Sequence, residues 1–162
     1  MKPSDCCALL LAAWVCAGVP ASAQRVDLVA LAPQPVNPAP FVSPNRPIRR
    51  LADILARHKD QPDWSETEVQ TRDFIGQYIS MGPGRKTKTV FYADDRVFWV
   101  VRSGQIRFTI AGQKPFVASQ GFLVQVPYRV PYSMETVGDV PSLRFEVRPA
   151  GEMPSYPAGE TP

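Results

Sequence analysis

The sequence predicts a mainly β protein, an antiparallel sandwich or closed barrel preceded by one short helix. Three observations predict it. From Trp64 onward, short apolar-rich runs recur between turn clusters, spaced too closely for intervening helices. A single stretch, Ile48 to His58, shows a helical period. Proline is concentrated ahead of that stretch, where no regular element is expected.

The N-terminus reads as an address. Lys2 is followed by an almost wholly apolar run from Cys6 to Val19, then Pro20 and the small residues Ala21-Ser22-Ala23. That order is the layout of a secretory signal peptide, here residues 1–23 with cleavage before Gln24. The run falls short of the about 20 residues that a bilayer requires. A lipoprotein signal at Cys16 would want a small residue before the cysteine, and Trp14-Val15 stands there instead. The expectation is a periplasmic or secreted protein with no stable membrane anchor after cleavage. Its three cysteines, Cys6, Cys7 and Cys16, leave with the signal, and thiolate chemistry leaves with them.

Residues 24–47 carry Pro33, Pro35, Pro38, Pro40, Pro44 and Pro47, and predict an extended arm. Val26, Leu28, Val29 and Leu31 would let part of it lie along the barrel as an edge strand. In the next segment Ile48, Leu51, Ala52 and Leu55 fall at i, i+3, i+4 and i+7, which predicts a helix over 48–58 with those residues on its buried face. Pro47 suits a first-turn position, and Asp60-Gln61-Pro62 ends the helix.

Strands are expected near Glu66–Met81, Thr87–Tyr92, Arg96–Arg102, Gln105–Ala111, Pro115–Ala118, Phe122–Val126, Tyr132–Thr136 and Ser142–Arg148. The punctuation comes from Gly82-Pro83-Gly84, Ala93-Asp94-Asp95, Ser103-Gly104, Ala111-Gly112, Gln120-Gly121 and Gly138-Asp139. After Pro149 the tail, 150–162, is expected to be flexible. The 18 basic and 15 acidic residues are interspersed, so no nucleic-acid footprint is present. The tight pair Arg49-Arg50 reads as a solvated helix face.

The strand region resembles the cupin superfamily. Its first motif is glycine, five residues, His-x-His, three or four residues, glutamate, six residues and glycine. Here Gly84 is followed at those intervals by Val90-Phe91-Tyr92, Val97 and Gly104. The second motif is glycine, five residues, Pro-x-Gly, two residues, histidine, three residues and asparagine. It is matched by Gly121, Pro127, Arg129 in the glycine's place, Tyr132 and Thr136. The resemblance spans about residues 75–148. It implies an antiparallel double-stranded β-helix, the jelly-roll or cupin barrel, over 48–149 with its short N-terminal helix.

The resemblance also implies a divalent metal held by the two histidines, the glutamate and the second-motif histidine. Val90, Tyr92, Val97 and Tyr132 occupy those positions, and valine has no lone pair to offer. A phenol ionises near pH 10 and binds ordinary divalent ions poorly. No metal and no cofactor are therefore expected. Metal-independent relatives of the sugar-epimerase type use a barrel histidine as base, and the only histidine here, His58, ends the helix outside both motifs.

Alternation along the strands places Lys88, Val90 and Tyr92 inward, with Trp99 and Val101 beside Val97, and Met134 and Thr136 beside Tyr132. Arg129 would reach over the opening. Tyr92, Tyr132, Trp99, Met134, Arg129 and Lys88 are thus the candidate ligand-binding residues, for a small apolar or aromatic molecule. Alternatively these bulky groups simply fill a small barrel.

Phe91, Phe98 and Val100 on the opposite faces need cover from the arm, the helix or a second copy. The leading expectation is an exported, non-catalytic cupin serving as a small-molecule-binding or assembly module. A metal-independent isomerase or lyase using the barrel tyrosines is one alternative. A structural homodimerisation domain is the other.

Overall fold

The computed structural model describes residues 37–159. The segment expected as a signal peptide, the expected arm as far as residue 36 with the candidate edge-strand residues Val26 to Leu31, and the last three residues lie outside the described residues.

One helix, α1 (Leu51–Arg57), precedes eight strands: β1 (Trp64–Gln70), β2 (Phe74–Met81), β3 (Val97–Ser103), β4 (Gln105–Ile110), β5 (Phe116–Ser119), β6 (Leu123–Val126), β7 (Tyr132–Val137) and β8 (Ser142–Pro149). Helix α1 is shorter than the periodicity over 48–58 suggests, because Arg50 is still extended (φ −97°, ψ 128°). The late start resets which face is inward. Ile54 is buried, whereas Ile48 and Leu55 of the expected apolar face are exposed.

Antiparallel pairing builds two sheets, one ordered β1-β2-β8-β3-β6 and the other β5-β4-β7. The run expected as a single strand over Glu66–Met81 is a hairpin. Its turn is built by Thr71, whose hydroxyl accepts the N–H groups of Asp73 and Phe74. This is a side-chain-made turn that needs neither glycine nor proline.

The strand expected over Thr87–Tyr92 is only an irregular edge beside β7, with bridges from Lys86 to Glu135 and from Val90 to Tyr132. Thr87 N–H donates to Met134 O and Val90 N–H donates to Tyr132 O, so three residues on this edge span two on β7. The Thr87 hydroxyl accepts Met134 N–H at 2.8 Å, standing in for a backbone carbonyl. This is bulge geometry, and it shifts the alternation of the segment.

The facing surfaces of the two sheets make the core. Trp99, Val97 and Val101 of β3 pack with Ile106, Phe108 and Ile110 of β4, Tyr132 and Met134 of β7, and Ala118 of β5. Trp99 meets Phe108 and Tyr132 with ring centroids 5.5 and 5.0 Å apart. On the outer face of the larger sheet, Ile54 shares a small hollow of about 190 Å³ with Tyr78 and Phe145, so α1 covers part of that face. The described part of the segment after Pro149 makes contacts with the 91–94 stretch. Ser155 exchanges two backbone hydrogen bonds with Phe91 (3.0 and 2.8 Å), and the Glu152 carboxylate accepts the N–H groups of Ala93 and Asp94.

Candidate functional site

Period-2 alternation decides which side chains enter the barrel. On β3 it sends Val97, Trp99 and Val101 inward, and on β7 Tyr132, Met134 and Thr136; all six are buried. Tyr92 joins them from the edge segment, and Val90 packs against the same cluster. The four positions that correspond to cupin metal ligands, Val90, Tyr92, Val97 and Tyr132, therefore gather in one region of the core.

Two of the candidate ligand-binding residues lie elsewhere. Lys88 is exposed, its ammonium 5.7 Å from the centre of the Tyr156 ring, because the bulge between Thr87 and Val90 breaks the alternation that would turn it inward. Arg129 is also exposed. Its backbone is left-handed (φ 59°), and its side chain lies against the neighbouring loop, where Nε donates to Ala93 O at 3.2 Å. Neither one reaches the barrel interior.

The interior charges come from β8, which the sequence reading did not single out. Ser142, Arg144 and Glu146 are buried on its inner side, while Phe145 and Val147 alternate with them. The signal was present as strict alternation, but its ordinary reading puts the apolar set inward. Here the apolar set lies on the face that α1 partly covers. Glu146 Oε2 accepts the Trp99 indole N–H at 2.6 Å, and Oε1 accepts Gln77 Nε2 at 2.7 Å. Arg148 Nε stands 3.9 Å from Oε1.

Deeper along the strand Arg144 is 3% exposed. Its Nη1 donates only to Met81 Sδ, at 3.0 Å, and its Nε is buried without a partner among the described residues. Desolvation pulls its pKa below the usual arginine value, opposed by the Glu146 charge. At the same end Thr136 and Ser142 share a hydroxyl contact of 2.6 Å, and Thr136 Oγ1 donates to Met81 O.

Both phenols are held protonated. Burial, and next the Glu146 charge, pushes Tyr92 up to about 12. The same two causes, in the same order, push Tyr132 up as well. This settles how well the site suits the metal that the resemblance implies. Two of its positions are hydrocarbon, two are phenols biased against ionising, and the nearest carboxylate already has both oxygens engaged. The residues present do not fit a divalent cation. Among the described residues, no group of three or more histidine, cysteine, aspartate or glutamate side chains is placed to share one. None of their helices is long and apolar enough to cross a membrane.

No family model matches the chain, and no curated protein matches it in sequence. Solved structures do. A cupin-2 domain protein from Shewanella frigidimarina superposes with a TM-score of 0.53 at 12% identity, covering 63% of this chain and 94% of that one. A protein with a double-stranded β-helix domain from Klebsiella pneumoniae gives 0.52 at 13% identity, over 59% and 84% of the two chains. An RmlC-like cupin family protein from Methanocaldococcus jannaschii gives 0.50 at 21% identity, over 56% and 84%. At these identities the likeness shows the fold alone, a double-stranded β-helix like that of the cupin and RmlC-like structures.

Proposed function

We propose that this protein is an exported, non-catalytic cupin that works as a binding or assembly module without a metal. The observation that carries this reading is the occupancy of the four ligand positions by Val90, Tyr92, Val97 and Tyr132, packed around Trp99 and Met134. Incubating the purified full chain with iron, manganese, zinc or nickel, then dialysing and measuring metal content, tests it. The expected result is far less than one ion per chain. Stoichiometric metal that is lost in a Tyr132→Phe variant overturns the proposal.

The assembly half of the proposal uses the outer face of the five-stranded sheet. Leu123 and Phe74 are exposed there, beside half-buried Phe98, Val100 and Val147. A hollow of about 460 Å³ on this face is lined by Phe74, Phe98 and Val147 together with Asp73, Asp95 and Arg96, while Arg148 at its border turns toward Glu146. Paired acids and bases around an apolar centre suit a second copy of the chain across a two-fold axis, where each acid meets the partner's base. Light scattering that finds a dimer, converted to monomer by Phe98→Asp, supports this. A monomer at all concentrations removes it.

The metal-independent isomerase or lyase alternative has less support. It needs an open bowl with a cation over it, and Lys88 and Arg129 are turned away while Trp99 and Met134 fill the centre.

A further inference from the structure

Beside α1, outside the barrel, Arg46, Ile48, Arg49, Arg50, Asp53, Ile54, Arg57 and Glu66 surround a hollow of about 390 Å³. Four guanidiniums face two carboxylates across it. We propose that this hollow is a binding site for a multivalent oxyanion of the phosphate type, either free or carried on a lipid headgroup.

The four arginines have distinct states. Arg49 is fixed: Nη1 donates to Glu66 Oε1 at 2.9 Å, Nε lies 3.1 Å from Glu68 Oε2, and Nη2 donates to Pro44 O at 3.3 Å. Arg57 is fixed as well, bonded to the same Glu66 oxygen at 2.5 Å and to Asp53 O at 3.2 Å. Glu66 is thus clamped by two guanidiniums, and its second oxygen contacts His58 Nε2 at 2.9 Å, on a ring stacked 4.2 Å from Trp64. Arg46 and Arg50 are exposed and have no side-chain hydrogen bond or ion pair with the described residues.

This arrangement divides the work. The Glu66 clamp locks two cations in place, so ordering them costs little when a ligand arrives. Arg46 and Arg50 bring free planar forks, the geometry that matches phosphate and carboxylate oxygens two at a time. Burial tends to raise the Glu66 pKa, yet the hydrogen bonds and charges of His58 and Arg57 outweigh it and hold the carboxyl below its usual range. Four guanidiniums against Asp53, Glu66 and the Arg49-bound Glu68 leave a cationic excess, carried by Arg46 and Arg50. Asp53 has no cationic partner among the described residues and limits how closely an anion approaches from its side. The role is independent of the barrel interior and of the metal question.

The test titrates the full chain with pyrophosphate by calorimetry at low salt, and sediments it with phosphatidylglycerol or phosphatidylcholine vesicles. The Arg46→Gln/Arg50→Gln double variant is expected to weaken binding by about tenfold or more, since it removes charge-assisted bonds to the ligand. Arg72→Gln, at an exposed arginine of the β1–β2 turn that does not line the hollow, is expected to leave binding unchanged. Asp53→Asn is expected to tighten binding by about two- to fivefold, because a like charge leaves the hollow; its opposite sign keeps the proposal testable even if the double variant misfolds. Pyrophosphate binding assigns a free-anion site, and binding to phosphatidylglycerol vesicles alone assigns a headgroup site. Binding to neither, or equal losses in the Arg46/Arg50 and Arg72 variants, or no tightening in Asp53→Asn, overturns it.

Discussion

Trp99 and Glu146, 47 positions apart in sequence, meet inside the barrel through a hydrogen bond of 2.6 Å from the indole N–H to a carboxylate oxygen. The contact joins neighbouring strands β3 and β8 in one inward-facing row, where Gln77 completes the carboxylate's partners. A buried carboxylate is tolerable only while its oxygens are satisfied. Trp99→Phe keeps most of the packing and removes the donor, so it is expected to cost about 2–4 kcal/mol. Glu146→Gln keeps an acceptor and is expected to cost about 1 kcal/mol. Urea denaturation of the two variants and of the double variant measures this. The double variant should lose less than the two single losses combined, and simple additivity would show that the pair is uncoupled.

Alkaline pH should unfold the protein through its interior phenols. Below pH 10 the folded and unfolded states both keep the Tyr92 proton. As pH rises through 10 the unfolded chain releases it first, while the folded phenol holds it to about 12. Stability is therefore full below pH 10 and falls through the interval up to 12, by roughly 2–3 kcal/mol for this residue alone. Tryptophan fluorescence followed from pH 9 to above 11 checks this, with Tyr92→Phe expected to flatten the loss. An unchanged loss in that variant would place the alkaline sensitivity elsewhere.

Two turn positions should respond in opposite directions. Gly104 has φ 70°, and a Cβ there would stand 2.6 Å from Pro141 O and 2.7 Å from Ser142 Cα, both backbone atoms that cannot swing aside. Gly104→Ala is expected to destabilise by about 2 kcal/mol or more. Arg129 already bears a left-handed backbone at φ 59° where cupins place glycine. Arg129→Gly should relieve that and stabilise by up to about 1 kcal/mol, less the Ala93 hydrogen bond it forfeits. Thermal unfolding of both variants reads the signs.

The C-terminal segment should behave as part of the domain. Glu152→Ala removes the acceptor for Ala93 and Asp94 and is expected to loosen the Lys86–Tyr92 edge by about 1 kcal/mol. Hydrogen exchange at the Phe91 and Ser155 amides, which pair with each other, reports it. Protection equal to that of the unsubstituted chain would mean that the bridge alone holds the tail.

The class of fold was legible because glycine spacing and strand alternation are backbone properties. Gly84, Gly104 and Gly121 all adopt positive φ, as does Arg129 in the missing glycine's place. The turn motifs therefore mark where the chain must reverse, whatever chemistry has left the barrel. Trp99, Tyr92, Tyr132 and Met134 were legible as interior because the matched motif positions named the inward face of their strands, which alternation then extended. What escaped depended on side chains acting on backbone. The Thr71 hydroxyl makes a turn within one expected strand, and the Thr87 hydroxyl makes a bulge that turns Lys88 outward. The inward Arg144 and Glu146 escaped because alternation fixes two faces without naming which is inside. The register of β8 against β3, which sets Glu146 opposite Trp99, and the placement of α1 over Phe145 and Tyr78 decide that.

Strand β8 sits in the middle of the larger sheet, paired with β2 on one side and β3 on the other, although it is the last strand in the chain. Until residues 142–149 exist, β1 and β2 have no register to join β3 and β6, and the Glu146 row cannot form. Closing the larger sheet thus waits on β8, and depends on contacts between distant segments that close slowly. A lesion in β8 therefore detaches β1 and β2 from β3 and β6 in one stroke, a reach that no edge strand of this sheet has.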